Sequence, residues 1–308
     1  MNVAGVRWQL SMRFQRLRAR WQAFRLPEGA KWNSPQSPLL TPEQERDAIS
    51  EACRIVDAVP QGEPRRSRWS QTVGAQIRGR DGTASWVKIA CISSELADWL
   101  RTGELTAPSV AGLLRPEILR EFEWTDGSIR WHALQLSLAP SPAILGQPWI
   151  AEPIHSIDDR WIAELKRAIE ATNKVPLTRW AVHPGRIARV IAQRFGKRAP
   201  YAIDEWQTAH GDLNWGNVTA PHLMLLDWEF WGAAPRGYDA ATLLAHSFMD
   251  SALFRRVETV FADDLNTRSG VVSRLYQFAL LLDKVEAGLR DPREHRIAEA
   301  EVRRLLRL

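Results

Sequence analysis

The pattern of apolar and polar positions divides the chain into a strand-rich first part and a helix-rich second part. Two runs of strand-forming residues flank the sequence RDG at 80–82, and two more flank TDG at 125–127. An Asp-Gly pair between two such runs is typical of a β-hairpin. We therefore predict an antiparallel sheet over residues 65–138, interrupted by one helical insert at about 94–113.

A helix is predicted in front of this sheet, over the sequence TPEQERDAISEACRIVDAV. Thr41 is a good N-cap, Pro42 fits the first turn, and acidic residues follow it. The preceding stretch is rich in proline, serine and glycine, which is typical of a linker.

Helical spacing of apolar residues dominates the chain after Ser156, which we expect to cap the first of these helices. The pattern covers the segments SIDDRWIAELKRAIEATNK, HPGRIARVIAQRF, YDAATLLAHSFMDSALFRRVETVF and RIAEAEVRRLLRL. Between the second and the third lies TAHGDLNWGNVTAPHLMLLDWEF. Its two short apolar runs predict a small β-hairpin turned by TAPH at 219–222.

The domain organisation follows from these patterns and from a proline-rich break at 139–148, which separates strands from helices. We predict a basic amphipathic extension and linker at 1–45, a small β-rich lobe at 46–140 and a larger, mostly helical lobe at 141–308. The expected fold class is α+β.

Composition places the chain among ordinary globular proteins, with 45% apolar and 25% charged residues. No run of about 18 apolar residues predicts a membrane span, and the N-terminus lacks the pattern of a secretory signal. Cys53 and Cys91 are the two cysteines and form no CxxC pair. This argues against a disulfide framework or a structural zinc, and it favours a reducing, cytoplasmic location.

The net charge of +5 is concentrated at one end of the chain. Residues 1–30 contain six arginines and one acid, Glu28, so the rest of the chain is neutral. Residues 201–250 contain seven acids against Arg236 alone. Such a stretch suits a cation and does not suit a nucleic-acid backbone, so we expect no nucleic-acid partner.

The first residues carry a helical apolar stripe with arginines on the other faces, made by Leu10, Phe14, Leu17, Trp21 and Phe24. A basic amphipathic helix of this kind can lie on anionic lipid or dock on a partner through residues 7–25. The alternative is a helix packed on the first lobe, or a simple upstream extension.

The strongest chemical signal is HGDLNWGN followed by LLDWEF. Asp212 and Asn217 lie five residues apart, and Asp227 comes on the turn that follows. Phosphoryl transfer from ATP needs a carboxylate beside the attacking hydroxyl and oxygen ligands for Mg²⁺. The three residues have the order and spacing of a kinase catalytic loop and its metal aspartate. The alternative is a polar turn between two strands.

These motifs resemble the aminoglycoside phosphotransferase and choline kinase-like family, which has a protein-kinase-like two-lobe fold with a small antiparallel β-rich N-lobe and a larger helical C-lobe. The resemblance implies that Asp212 is the catalytic base and that Asn217 and Asp227 bind Mg²⁺. It also implies that His210 supports the loop and that Asp239, in APRGYDAATLL, braces it.

Two features depart from the family pattern. The interval between Asn217 and Asp227 is short, which predicts a tight hairpin. The chain also has no Gly-x-Gly-x-x-Gly loop, so contacts to the phosphates of ATP fall to backbone amides or to side chains at 64–71.

A lysine in the first lobe fits the same interpretation. The chain has six lysines against 35 arginines, and Lys88 lies near the end of an apolar strand. A kinase-like fold places its phosphate-binding lysine there and pairs it with a glutamate. Glu104, 16 residues later, is the favoured partner, and Glu95 is the rival.

Other residues receive weaker predictions. Glu229 can assist a metal or substrate, or simply face solvent. We expect structural roles for His183, His222 and His246, which lack metal-ligand spacing, core positions for both cysteines, and a place facing the substrate cleft for Trp215.

The predicted activity is therefore that of an ATP- and Mg²⁺-dependent phosphotransferase acting on a hydroxyl of a small molecule, with an aminoglycoside-like antibiotic as one candidate. One alternative is a kinase acting on Ser or Thr of a peptide or protein. The other is a non-catalytic nucleotide-binding scaffold.

Overall fold

The computed structural model describes residues 40–66, 72–91, 95–107, 114–146, 154 and 157–307. The predicted amphipathic helix at 7–25 lies outside the described residues, as does most of the predicted linker. Within the described ranges, no helix is both long and apolar enough to cross a membrane.

The first helix, α1 (Pro42–Val56), begins where the sequence predicts it. The Thr41 hydroxyl accepts a hydrogen bond from the Gln44 amide at 3.2 Å, and the Gln44 side chain accepts one from the Thr41 amide at 2.9 Å. This capping box satisfies two amides that the first turn leaves without helical partners. Pro42 at the first helical position fixes a helical φ.

A five-stranded antiparallel sheet forms the small lobe, in the order β1-β2-β3-β5-β4. Its strands are β1 (Ala58–Arg66), β2 (Thr72–Gly79), β3 (Ala84–Cys91), β4 (Ile118–Asp126) and β5 (Ile129–Ser137). Both predicted hairpins are confirmed, because β2 pairs with β3 and β4 with β5 across the two Asp-Gly turns. The prediction that the sheet starts at residue 65 is wrong: β1 begins seven residues earlier.

The helical insert of the sheet is α2 (Glu95–Thr106), between β3 and β4. The predicted interval was longer, and the region 108–113 lies outside the described residues. Burial alternates along β3, where Val87, Ile89 and Cys91 face the core beneath α1. Lys88 therefore projects from the opposite face of the sheet.

The second lobe contains helices α3 (Asp159–Asn173), α4 (Pro184–Phe195), α5 (Tyr238–Ala245), α6 (Ser251–Val260), α7 (Ala262–Leu265), α8 (Arg268–Glu286) and α9 (Arg293–Leu306). It also holds a two-stranded ribbon of β6 (Trp206–Ala209) and β7 (Gly232–Pro235). The expected α+β arrangement, a small antiparallel lobe followed by a larger helical lobe, is confirmed.

Three local predictions for this lobe are wrong. Asp158, rather than Ser156, caps α3 by accepting from the Trp161 amide at 2.8 Å. The long helical pattern over 238–261 is two helices, because α5 ends at Ala245 and a new helix, α6, begins at Ser251 with Asp250 as its N-cap. The small hairpin around TAPH is reduced to one isolated bridge between Val218 and Leu225.

The apolar core has two parts. One lies between the sheet and α1, and the other joins the helices to the β6–β7 ribbon. Both cysteines are buried in the first part, as predicted. The exact boundary between lobes near 139–148 stays a prediction.

Candidate active site

The β6–β7 ribbon brings the two halves of the polar motif together. Ala209 at the end of β6 pairs with Gly232 at the start of β7. The loop that leaves β6 carries Asp212, and the turn that enters β7 follows Asp227. This pairing explains why residues 15 positions apart in sequence meet at one site.

His210 joins the loop to the segment before Asp227. Its Nε2 lies 2.9 Å from the Leu226 carbonyl, and its Nδ1 lies 3.4 Å from the Asp212 amide. Only a neutral ring with the proton on Nε2 satisfies both contacts. Burial lowers the pKa of His210 to about 4, which keeps the ring neutral. The ring thus connects the backbone at Asp212 with the backbone at Leu226, and the supporting role of His210 stays a prediction.

Asp239 holds the start of the same loop. From the first turn of α5 its carboxylate accepts hydrogen bonds from the His210 amide at 2.7 Å and the Gly211 amide at 3.0 Å. Burial raises the pKa of Asp239 to about 6, while these two hydrogen bonds favour the ionised form and lower it. The contacts are those of a residue that braces the loop.

Gly211 is required by the backbone at this point. Its φ is +87°, and a Cβ added there would lie 2.2 Å from the Phe230 carbonyl oxygen. The close approach packs the loop that carries Asp212 against the turn after Asp227.

We expect Gly211→Ala to lower the free energy of unfolding by about 2–4 kcal/mol, since it combines left-handed strain with a backbone clash. Gly82→Ala is the matched control, because Gly82 has a φ of +82° and no atom within 4 Å of the added Cβ. The control should cost about 1 kcal/mol. Chemical denaturation measures both values, and equal losses would show that the Phe230 contact is unimportant.

Asp212 lies within a small network of amides. The Asn217 side-chain nitrogen donates to the Asp212 carbonyl at 2.9 Å and to its carboxylate at 3.3 Å. Asn214 also donates to the Asp212 carbonyl and accepts from the Gly216 amide at 2.9 Å. Sequence reasoning missed Asn214, although an asparagine two residues after an aspartate is a common turn former.

The environment of Asp212 suits a base that works near neutral pH. Burial and the negative charge of Asp227 raise its pKa to about 6, while Lys284, Asn214 and Asn217 oppose the rise. The carboxylate is therefore mostly ionised at pH 7 and still basic enough to take a proton.

Lys88 projects from β3 into three carboxylates. Its Nζ lies 3.0 Å from Glu104 and 3.0 Å from Glu229, and it forms an ion pair with Asp227. Burial alone would lower the pKa of Lys88, but the negative charges of Asp227, Glu104 and Glu229 hold it well above its usual value. The lysine is therefore charged.

These contacts bear on two alternatives left open by the sequence. Glu104 on α2 makes an ion pair with Lys88, whereas the side chain of the rival, Glu95, lies outside the part of the chain that the structure describes. Glu229 faces the same ammonium group rather than open solvent. Burial and Asp227 raise the pKa of Glu229 to about 8, although Lys88 lowers it.

The donor set fits a hard divalent cation. The Leu226 amide donates to the Asn217 carbonyl at 2.8 Å, which places Asn217 beside the residue before Asp227. Because the Asn217 amide nitrogen is directed to Asp212, its oxygen is the atom left to ligate a cation. A carboxylate and an amide oxygen are ligands that Mg²⁺ accepts. The carboxylates of Glu104, Asp227 and Glu229 also lie within 4.8 Å of one another.

The position predicted for Trp215 is wrong, whereas three histidines make the structural contacts expected of them. Trp215 does not face a cleft: it is fully buried, and its indole donates to the Ser247 hydroxyl at 3.0 Å. His183 caps α4, His222 contacts the Ser141 hydroxyl, and His246 contacts the Thr242 carbonyl. These contacts agree with the structural roles expected for the histidines.

No protein-family model matches the sequence, and no curated protein gives a significant match. Solved structures do share the fold. A thermostable mutant of aminoglycoside phosphotransferase APH(4)-Ia, in ternary complex with ADP and hygromycin B, has 11% identity and a TM-score of 0.51, covering 84% of this chain and 97% of its own. Macrolide 2'-phosphotransferase type I has 14% identity and a TM-score of 0.50, covering 86% of this chain and 99% of its own.

The resemblance seen in the sequence is thus confirmed at the level of the fold. The chain has the protein-kinase-like two-lobe fold of these phosphotransferases. At such low identity the likeness concerns the fold, and the chemistry has to be argued from this chain's own residues.

Proposed function

We propose that the chain is a phosphotransferase that moves the γ-phosphoryl group of ATP to a hydroxyl of a small molecule, in the presence of Mg²⁺. One observation carries the proposal: Lys88 and Glu104 of the small lobe meet Asp227 of the large lobe at one point. Phosphoryl transfer needs a cation for the phosphates, metal ligands and a base near one another, and these groups are close together where the two lobes meet. The fold shared with two antibiotic phosphotransferases supports the same conclusion.

Lys88 is the proposed contact to the α- and β-phosphates. Glu104 stays beside it when it leaves Asp227, so Lys88 can turn to a phosphate and keep its proton. Asn217 and Asp227 would hold Mg²⁺, which neutralises charge on the phosphate oxygens when bound. The small lobe, 46–140, is accordingly the proposed nucleotide-binding part.

Asp212 is the proposed base. It orients the acceptor hydroxyl and takes its proton as the acceptor oxygen bonds to the γ-phosphorus and the bond to the leaving ADP oxygen breaks. His210 and Asp239 fix the loop backbone on either side of Gly211, so the carboxylate is positioned before the acceptor arrives. Positioning of this kind accounts for much of the rate in phosphoryl transfer.

The acceptor is proposed to be a small polyhydroxylated molecule, bound by the helical lobe at 141–308. Hygromycin B and a macrolide are named for two proteins of the same fold, so an antibiotic of this kind is the first candidate. The seven acids at 201–250 favour a cationic acceptor such as an aminoglycoside, although Asp212, Asp227 and Asp239 have other proposed tasks. ATP as co-substrate and the buried cysteines favour the cytoplasm as the location.

The test is a screen with ATP and Mg²⁺ against aminoglycosides, macrolides, simple sugars, choline-like amines and Ser/Thr peptides, read by mass spectrometry. A gain of about 80 Da on a small molecule supports the proposal. The same gain on peptides alone would instead favour a protein kinase. Nucleotide binding with no transfer to any member of the panel would favour the scaffold.

A further inference from the structure

The end of α2 is held by a residue from the other lobe. The helix ends at Thr106, so the Gly103 carbonyl is among the last four, which lack amide partners within the helix. The indole N–H of Trp231 donates to this carbonyl at 2.9 Å, and the bond is buried. A tertiary hydrogen bond therefore completes the helix one residue before Glu104.

Gly103 allows an unusually close approach at this contact. A Cβ added there would lie 2.0 Å from the Glu229 carbonyl oxygen and 2.4 Å from Arg179 Nη1. Only a glycine lets α2 pack directly on the backbone of the turn at Trp228–Phe230, which follows Asp227.

Trp231 is itself firmly placed. It is 4% exposed, its amide donates to the Trp228 carbonyl at 3.3 Å, and the guanidinium of Arg179 lies over its ring at 5.8 Å. A buried ring with one polar handle is a rigid donor, since few rotamers satisfy both packing and the hydrogen bond.

The opposite side of α2 is tied to the sheet. Arg101 pairs with Glu121 of β4 at 3.2 Å. The helix is thus bound to the small lobe through Arg101 and to the large lobe through Gly103. Glu104, the residue after Gly103, makes the ion pair with Lys88.

We propose that Trp231 is a positioning residue: its hydrogen bond to Gly103 fixes α2 so that the Lys88–Glu104 pair is formed before any ligand binds. The same contact joins the end of α2 to the turn after Asp227. It therefore keeps the distance between Glu104, the partner of Lys88, and Asp227, the proposed metal ligand, constant. The role in nucleotide binding rests on the proposed function, whereas the role in fixing α2 does not.

The test compares Trp231→Phe with Trp161→Phe. Trp161 is a matched control, because it is also buried and its indole donates to the Thr219 carbonyl at 3.0 Å, away from α2. Each variant keeps an aromatic ring and loses one buried hydrogen bond, so both should lose similar global stability. Amide hydrogen exchange over 101–106 reads the local effect, and the KM for ATP in slow hydrolysis reads the site.

In Trp231→Phe we expect these amides to exchange about tenfold faster, which corresponds to one buried hydrogen bond. The KM for ATP should rise about tenfold while kcat stays within about threefold, since Asp212 and its loop are untouched. Trp161→Phe should leave the exchange of the 101–106 amides at the wild-type value, because its lost hydrogen bond lies away from α2. Exchange over 101–106 that is unchanged, or that rises equally in the control, would overturn the proposal.

Gly103→Ala provides a second variant if Trp231→Phe folds poorly. It keeps the indole and displaces α2 from the Glu229 carbonyl, so it should produce the same local exchange and the same rise in KM. Normal protection of 101–106 in this variant would also contradict the proposal. A wild type that never turns over ATP would refute the proposed function. Hydrogen exchange over 101–106 would still show whether the Trp231 contact fixes α2.

Discussion

Asp212→Asn should lower the rate of phosphoryl transfer by about 100- to 10,000-fold, the usual contribution of a positioned base. The amide can still accept a hydrogen bond from the acceptor, but it cannot take its proton. The affinity for ATP should change less than about threefold, because Lys88 and Asp227 remain in place. Transfer to an acceptor from the screen and nucleotide titration measure the two quantities.

The same substitution should stabilise the protein at high pH. The folded pKa of Asp212, about 6, is above its ordinary value of 3.8, so the charged carboxylate is disfavoured by folding. Above pH 6 the wild type therefore bears the cost of a half-buried charge, and below about pH 3.8 it does not. We expect Asp212→Asn to be more stable by about 1–3 kcal/mol at pH 8, with the difference shrinking as the pH falls.

The two predicted effects of Asp212→Asn, lost turnover and higher stability at pH 8, together distinguish a direct effect from misfolding. A variant that lost turnover because it unfolded would be less stable at pH 8, whereas the predicted variant is inactive and more stable. Wild-type transfer by Asp212→Asn would remove Asp212 as the base.

Lys88→Met should lower the free energy of unfolding by about 3 kcal/mol at pH 8. It leaves Glu104, Asp227 and Glu229 with their oxygens within 4.8 Å and without the shared ammonium. Lys88 lowers the pKa of Glu229, so without that cation the pKa of Glu229 rises further, and the folded variant binds a proton there and regains stability as the pH falls. The affinity for ATP should fall at least about tenfold.

Added Mg²⁺ should raise the melting temperature of Lys88→Met more than that of the wild type, because the carboxylates of Glu104, Asp227 and Glu229, no longer paired with Lys88, can bind the cation. Lys166→Met is the control, since the Lys166 ammonium donates to the Val260 carbonyl, far along the chain from the site. It should keep ATP affinity and the wild-type response to Mg²⁺. Equal stability of Lys88→Met and wild type at pH 8 would contradict the ion-pair arrangement.

Features set by neighbouring residues were accessible from the sequence. The Asp-Gly turns, the Thr41–Gln44 capping box and the helix start at Pro184 depend on contacts within a few residues. The Lys88–Glu104 pair was also accessible, because a solitary strand lysine and the next helix limit the choice of partner.

Features set by tertiary contacts were not accessible. β1 contains Pro60 and Pro64, which argue against a strand, yet an exposed edge tolerates residues that cannot donate on one side. Trp215, which lies in the same loop as Asp212, packs inward against Trp161. Gly103 and Trp231 are 128 residues apart, and no sequence pattern predicts the hydrogen bond between them.

The most direct test of the central claim is a crystal structure with a non-hydrolysable ATP analogue and Mn²⁺, whose anomalous signal locates the cation. The account predicts the triphosphate beside Lys88, and Mn²⁺ at roughly 2.1–2.2 Å from the Asn217 amide oxygen and the Asp227 carboxylate, near the octahedral distance for Mg²⁺. Asp212 should face the γ-phosphate with room for a hydroxyl between them. A nucleotide bound elsewhere, or a cation held by Glu104 and Glu229 with Asn217 uninvolved, would contradict it.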